Sequence, residues 1–285
     1  MTPPNTKKST APSVTAEHQG QPGGSPPITE PAKRFLEESV RRFEQAIAED
    51  QLLLPPHGSW EVALVLSGDV PLHAADQDFL RLIDRANRQY TGWSTWLVTS
   101  QFTDPSHRPR VFEESWEELI VNLGSAHNNH IDYIKFDPQG RFFLRRAHQE
   151  DVDGEKVRPL TRLDFSMPVM RVAEAIAVGC AMALAMGCDP EKTNLIFCFR
   201  WTKLRGRELT SRPNSTSYIA PGKKAYQDEV TSFVNVPLST PVSAGELFPY
   251  VDRVVQRLYR VFDGFVLDGH DVGEFTRYIL ENAER

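Results

Sequence analysis

Apolar residues recur at helical spacing through Phe35, Leu36, Val40, Phe43 and Ile47, which predicts an amphipathic helix at the start of the ordered chain. A strand is expected from Trp60 to Leu66. A helical face follows at Phe79, Leu82, Ile83, Ala86 and Tyr90, then a strand over Trp93–Thr99. Residues Glu113 to Leu123 read as a short helix, with Glu113, Glu114, Glu117 and Glu118 on its wet side.

Two apolar-aromatic runs, Ile131–Phe136 and Phe142–Ala147, flank Asp137-Pro138-Gln139-Gly140. Pro second and Gly fourth are type I turn chemistry, so this segment is predicted as a hairpin. The strongest helical pattern spans Pro168–Met186. Ser166 stands at its cap and Gly187 at its stop, and its small residues would let a sheet approach closely. Strands are expected over Asn194–Trp201 and Glu229–Val236. Ser243-Ala244-Gly245-Glu246 is a capping box that opens a helix running to Phe262, and a last helix spans Val272–Asn282.

Strand pairs joined by short turns are antiparallel, and here each pair is followed by a long helix. The expected class is α+β, a layered sandwich of mixed, mainly antiparallel sheet with helices on one face. Residues 1–31 are rich in Pro, Ser, Thr and Gly and read as a disordered tail. Residues 32–285 read as a single α+β domain, with a subdivision to be looked for near residue 125.

Composition narrows the function classes. The 285 residues carry a net charge of −6, so no overall attraction to nucleic acid or anionic membrane exists, and any such binding needs a local patch. The three cysteines, Cys180, Cys188 and Cys198, sit in apolar surroundings without C-x-x-C spacing, which points to reduced, buried thiols in a cytoplasmic protein. Met1–Gln21 has no apolar h-region. The most apolar run, Val172–Met186, is shorter than the ~20 residues that cross a bilayer. No cofactor is expected.

Candidate chemistry concentrates in Arg200–Arg212, which holds five basic residues, Arg200, Lys203, Arg205, Arg207 and Arg212, beside Trp201 and one acid, Glu208. Arginine gives bidentate contacts to phosphate or carboxylate, and tryptophan stacks on flat rings. This loop is the expected contact surface for a protein partner, a small-molecule ligand or nucleic acid. The alternative is a solvated connection whose arginines pair with the body's own acids. Pro221-Gly222-Lys223-Lys224 lacks P-loop spacing and reads as a turn. His127, His130 and Asp132 lack a fourth ligand, so no metal site is expected. Glu61, His130, Asp132 and Glu174 are secondary candidates, with Glu174 and Arg171 expected to form a partly buried ion pair. No nucleophile elbow is present and no catalytic residue is assigned.

Several words recur together: Gly58-Ser59-Trp60-Glu61-Val62-Ala63, Tyr90-Thr91-Gly92-Trp93, His130-Ile131-Asp132-Tyr133, Arg141-Phe142-Phe143-Leu144-Arg145-Arg146, Arg171-Val172-Ala173-Glu174-Ala175, Phe199-Arg200-Trp201, Leu204-Arg205-Gly206-Arg207-Glu208-Leu209 and Tyr226-Gln227-Asp228-Glu229-Val230. With them, residues 59–265 resemble a domain of bacterial transcriptional-regulator-like and ATP-binding proteins that follows a Schlafen-type AlbA-like (divergent AAA) domain. Here a Pro-rich tail stands where that preceding domain would be. The resemblance implies a non-catalytic sensing or partner-binding module, a subunit of a bacterial regulatory or defence assembly. Nucleic-acid binding through the basic loop, or an enzyme of unrecognised type, are the alternatives.

Overall fold

The computed structural model describes residues 28–90, 92–124, 129–153, 158–211 and 219–282. The tail expectation for residues 1–31 therefore lies largely outside the described residues, as do His127 and Arg212.

A seven-stranded antiparallel sheet forms the centre. Its strands are β1 (Ser59–Ser67), β2 (Arg110–Phe112), β3 (Ser115–Asn122), β4 (His130–Asp137), β5 (Arg141–Ala147), β7 (Asn194–Trp201) and β9 (Val230–Pro237), in the spatial order β2-β3-β4-β5-β1-β7-β9. β3 and β4, on either side of position 125, belong to the one sheet and pair from Trp116 with Phe136 to Asn122 with His130. A small parallel pair, β6 (Arg162–Asp164) with β8 (Glu208–Thr210), lies apart from it. The α+β layered class holds.

Side chains alternate across each strand, so one sheet presents two apolar faces. Val62, Leu64, Leu144, Phe197, Phe199 and Val234 point one way, under α2 (Gln77–Ala86), α4 (Ser166–Ala185), α5 (Ala244–Tyr259) and α6 (Gly269–Asn282). Ala63, Tyr133, Phe143, Ile196 and Cys198 point the other way, under α1 (Glu30–Glu49). The expectation of helices on one face is corrected: α1 forms a third layer. Its stripe of Phe35, Leu36, Phe43 and Ala46 needs a separate apolar surface, and the rear of the sheet supplies it.

The hairpin expected at 131–147 is present. Gly140, at φ +78°, donates its N–H to the Asp137 carbonyl at 3.0 Å. Helix α4 is sealed by buried side chains nearly all round. It packs tightly on the sheet at Gly179, where an added Cβ would lie 2.9 Å from Leu64 Cδ2 and 3.1 Å from Phe197 Cζ. It ends as expected at Gly187, whose N–H bonds the Leu184 carbonyl while that of Cys188 bonds Ala183, a Schellman closure. Its start differs from expectation: Ser166 lies inside the first turn, and the Asp164 carboxylate caps it by accepting from the N–H groups of Ser166 (2.8 Å) and Met167 (3.0 Å). Ser243 caps α5 through Glu246 N–H, as the capping box predicts.

Two expectations fail. Residues 93–99 form no strand; the segment packs beneath α4 through Trp96 and Thr95. Residues 115–122 are strand β3 rather than a helix. Glu113 and Glu114, at φ +44° and +61°, make the two-residue turn from β2, and Glu117 and Glu118 are buried rather than wet.

Candidate functional site

The edge of the sheet where β1 begins and β5 and β7 end carries a row of three residues. Trp60 pairs across the ladder with Arg146 on one side and Trp201 on the other. All three point toward α4. The turn after β5 continues as His148, Gln149 and Glu150, the last two opening the short helix α3 (Gln149–Val152), while Leu163 comes from β6. The first turns of α4 add Met167, Pro168 and Arg171. Together these line a narrow, half-open crevice with about 40 Å³ of room for water-sized groups. Its walls are mainly apolar and aromatic, with polar groups from Arg146, His148, Gln149, Glu150 and Arg171, and no Ser, Cys, Thr, Lys or Asp contributes.

The charges at this crevice are already matched. Arg146, at the end of β5, donates Nε to both Asp132 oxygens at 3.0 Å and Nη2 to the Ser94 carbonyl at 2.9 Å. Burial lowers its pKa to about 10, with the Asp132 charge opposing that shift. Trp93 Nε1 donates to Asp132 Oδ2 at 2.6 Å, and the Trp93 ring stacks on His130 at 3.7 Å and 8°. Burial keeps the His130 pKa below its ordinary value, which favours the neutral imidazole in that stack. Arg171 Nη1 donates to the Trp93 carbonyl and to Glu174 Oε2, both at 2.7 Å, and Thr95 donates to the same Glu174 oxygen at 2.6 Å. Glu174 is fully buried and the Arg171 side chain only slightly exposed, so the expected ion pair is present.

Helix α4 does not act as an anion cradle here. The Asp164 carboxylate already takes its leading N–H groups, and Pro168 has none to offer. The His148 side chain is buried beside Gly58 and the Thr202 backbone, with its Nε2 sealed from solvent. Burial, aided by the Arg207 charge, pushes its pKa down to about 3, so the ring is neutral. Burial also raises the Glu150 carboxyl, which accepts from Asp164 N–H at 2.8 Å.

The predicted site residues fall into separate places. His130, Asp132 and Glu174 converge on the network behind the crevice, and Trp201 forms one of its walls. Arg200 and Glu61 lie on the other face of the sheet: Arg200 Nε donates to Glu61 Oε2 at 2.5 Å, and Arg145 donates to Oε1. Both arginines sit directly opposite Glu61 in register. Arg207 is fully buried. It donates Nη1 to Asp151 Oδ1 at 2.9 Å, Nη2 to Oδ2, and bonds the carbonyls of Lys203 and Arg162. The same carboxylate accepts from Gly58 and Leu160 N–H, both at 2.7 Å. Burial opposes the Asp151 charge, but these donors outweigh it and hold its pKa low. Gly58 has no room for a side chain, since a Cβ there would lie 2.5 Å from the Thr202 carbonyl. Lys203 and Arg205 face solvent, with Lys203 3.9 Å from Asp228.

Residue-level reading missed the crevice itself. Trp60, Arg146, His148 and Met167 come together from segments far apart in sequence. The usable signal was parity: Trp60, Arg146 and Trp201 each end a strand on the face that α4 covers. Among the described residues no group of three or more His, Cys, Asp or Glu is placed to hold a metal ion. No protein-family model, no curated protein and no solved structure matches this chain.

Proposed function

We propose that this chain is a non-catalytic ligand-binding sensor module whose site is the Trp60–Trp201 crevice. Apolar, aromatic walls with a few polar groups are the usual composition of small-molecule sites. The observation that carries the reading is the wall itself, where Trp60, Trp201, Leu163 and Met167 meet the polar groups of Gln149 and Arg171 at one half-open crevice. Because the arginines are matched internally, the favoured ligand is small, flat and largely apolar, with one hydrogen-bonding group. The outward part of the basic loop, Lys203 and Arg205, is the surface offered to a protein partner. Nucleic-acid binding through that loop loses support, since Arg200 and Arg207 are committed to Glu61 and Asp151.

The test is thermal melting and tryptophan emission with a set of small planar compounds, in the wild type and in Met167→Trp, which fills the crevice mouth. Compounds should raise the wild-type melting temperature and shift its emission, and lose both effects in the filled variant. No response in the wild type, or a response that survives in Met167→Trp, overturns the reading.

A further inference from the structure

Strand β9 ends the sheet, and its outer edge has no strand beside it among the described residues. Its hydrogen-bonding parity is fixed by its neighbour. Leu238 N–H bonds the Thr193 carbonyl at 2.9 Å, so even-numbered residues turn their backbone groups toward β7 and odd-numbered ones turn outward. The outward N–H and C=O groups are therefore those of Thr231, Phe233 and Asn235. Pro237, which lacks an N–H, falls at the outward position just past them.

Natural edge strands are normally protected by charge, proline, a bulge or shortness. The other edge of this sheet, β2, has only three residues and carries Arg110. Strand β9 has eight residues, Val-Thr-Ser-Phe-Val-Asn-Val-Pro, with no charge and no proline before its last position. Its even-numbered side chains are buried beneath α5, and Thr231, Phe233 and Asn235 are only half-buried on the opposite face. Asn235 Oδ1 is buried with no hydrogen-bond partner.

We infer that β9 pairs antiparallel with β9 of a second copy of this chain, about a two-fold axis through Phe233. The sequence is self-complementary in that register. Phe233 meets Phe233, Val230 meets Val236, and Ser232 meets Val234. Thr231 stands opposite Asn235, so polar side chains face polar ones. The outward residues fall into three mutually facing pairs, each exchanging two backbone hydrogen bonds, and no like charges are opposed. Glu229 falls outside the ladder, beside Pro237 of the second copy. An extended segment rich in proline would pair poorly with this edge, because proline cannot donate to the ladder.

Sedimentation velocity on the full chain across a wide concentration range tests this, with hydrogen exchange on β9. The wild type should form a dimer, with the amides of Thr231, Phe233 and Asn235 protected as dimer accumulates. Asn235→Pro removes an outward N–H that the β7 ladder does not use, and Phe233→Lys adds a repelling charge on the axis. Each should abolish the dimer and the extra protection while leaving the circular dichroism spectrum intact. A wild type that stays monomeric throughout, protection that does not vary with concentration, or a dimer that survives both substitutions overturns the inference. The outcome is independent of the crevice, which lies among β1, β5 and β7.

Discussion

Glu118 shows how a residue's chemistry changes on burial. It lies on β3 with its carboxyl sealed beneath the segment containing Thr99. The Thr99 hydroxyl contacts both the His107 carbonyl and Glu118 Oε2, the latter at 2.8 Å. Both the Thr99 hydroxyl and its N–H, at 3.2 Å, donate to Glu118 Oε2 and favour the charged carboxylate, but burial outweighs them. Burial, with Asp84 and Asp132 adding to it, raises the pKa to about 8. The sign follows from that direction. The unfolded chain ionises this group near the ordinary carboxylate pKa of about 4.3, and the folded chain retains the proton until about pH 8. Its stabilising contribution is thus complete at acid pH, declines as pH rises, and is gone above about 8. Glu118→Gln mimics the neutral acid and should flatten the fall in melting temperature between acid and mildly alkaline buffers. A variant that keeps the wild-type slope would assign it to another group. None of this was legible from Glu117-Glu118, which read as a wet pair. Likewise Arg205 and Arg207 look alike in sequence, and only the distant Asp151 makes one of them internal.

At the scale of elements, legibility followed how local the determinants were. The 131–147 hairpin, α4 and its Schellman stop, and the α5 cap each rest on residues within a few positions, and all appeared where expected. The β2–β3 hairpin did not. Trp116, Leu119 and Ile120 also fit a helical face, and the acids mimicked a solvated side. The strand is possible because α1, β2 and β4 supply partners: Arg42 donates to Glu117 at 2.8 and 3.0 Å, Arg110 at 2.9 Å, and Tyr133 at 2.9 Å. The turn itself sent no signal, since Glu113 and Glu114 occupy left-handed positions that usually hold Asn and Gly. That conformation costs a non-glycine residue roughly 1–2 kcal/mol. Glu113→Asn with Glu114→Gly should therefore raise stability in urea by about 1 kcal/mol. An unchanged or lower midpoint would show that the acids have compensating contacts.

For the molecule as a whole, the two apolar faces make different reporters available. All five tryptophans lie on the side of the four helices: Trp60, Trp96, Trp116 and Trp201 belong to that core, and Trp93 packs against it. Among the described residues the opposite layer is chiefly α1, held by its apolar stripe and by Arg42 on Glu117. Phe43 is central to that contact. Its ring lies 5.9 Å from that of Tyr133, and the Arg145 guanidinium sits 4.8 Å above it. Burying such a side chain contributes roughly 1.5–3 kcal/mol, and a short carboxylate in its place forfeits that apolar contact. Phe43→Asp should release α1 while leaving the front core packed. Far-UV circular dichroism would then lose helix at a lower temperature than tryptophan emission reports melting, whereas the two transitions should coincide in the wild type. If they still coincide in the variant, merely displaced downward, α1 belongs to the same cooperative unit as the sheet and its role is to seal the core rather than to dock on it.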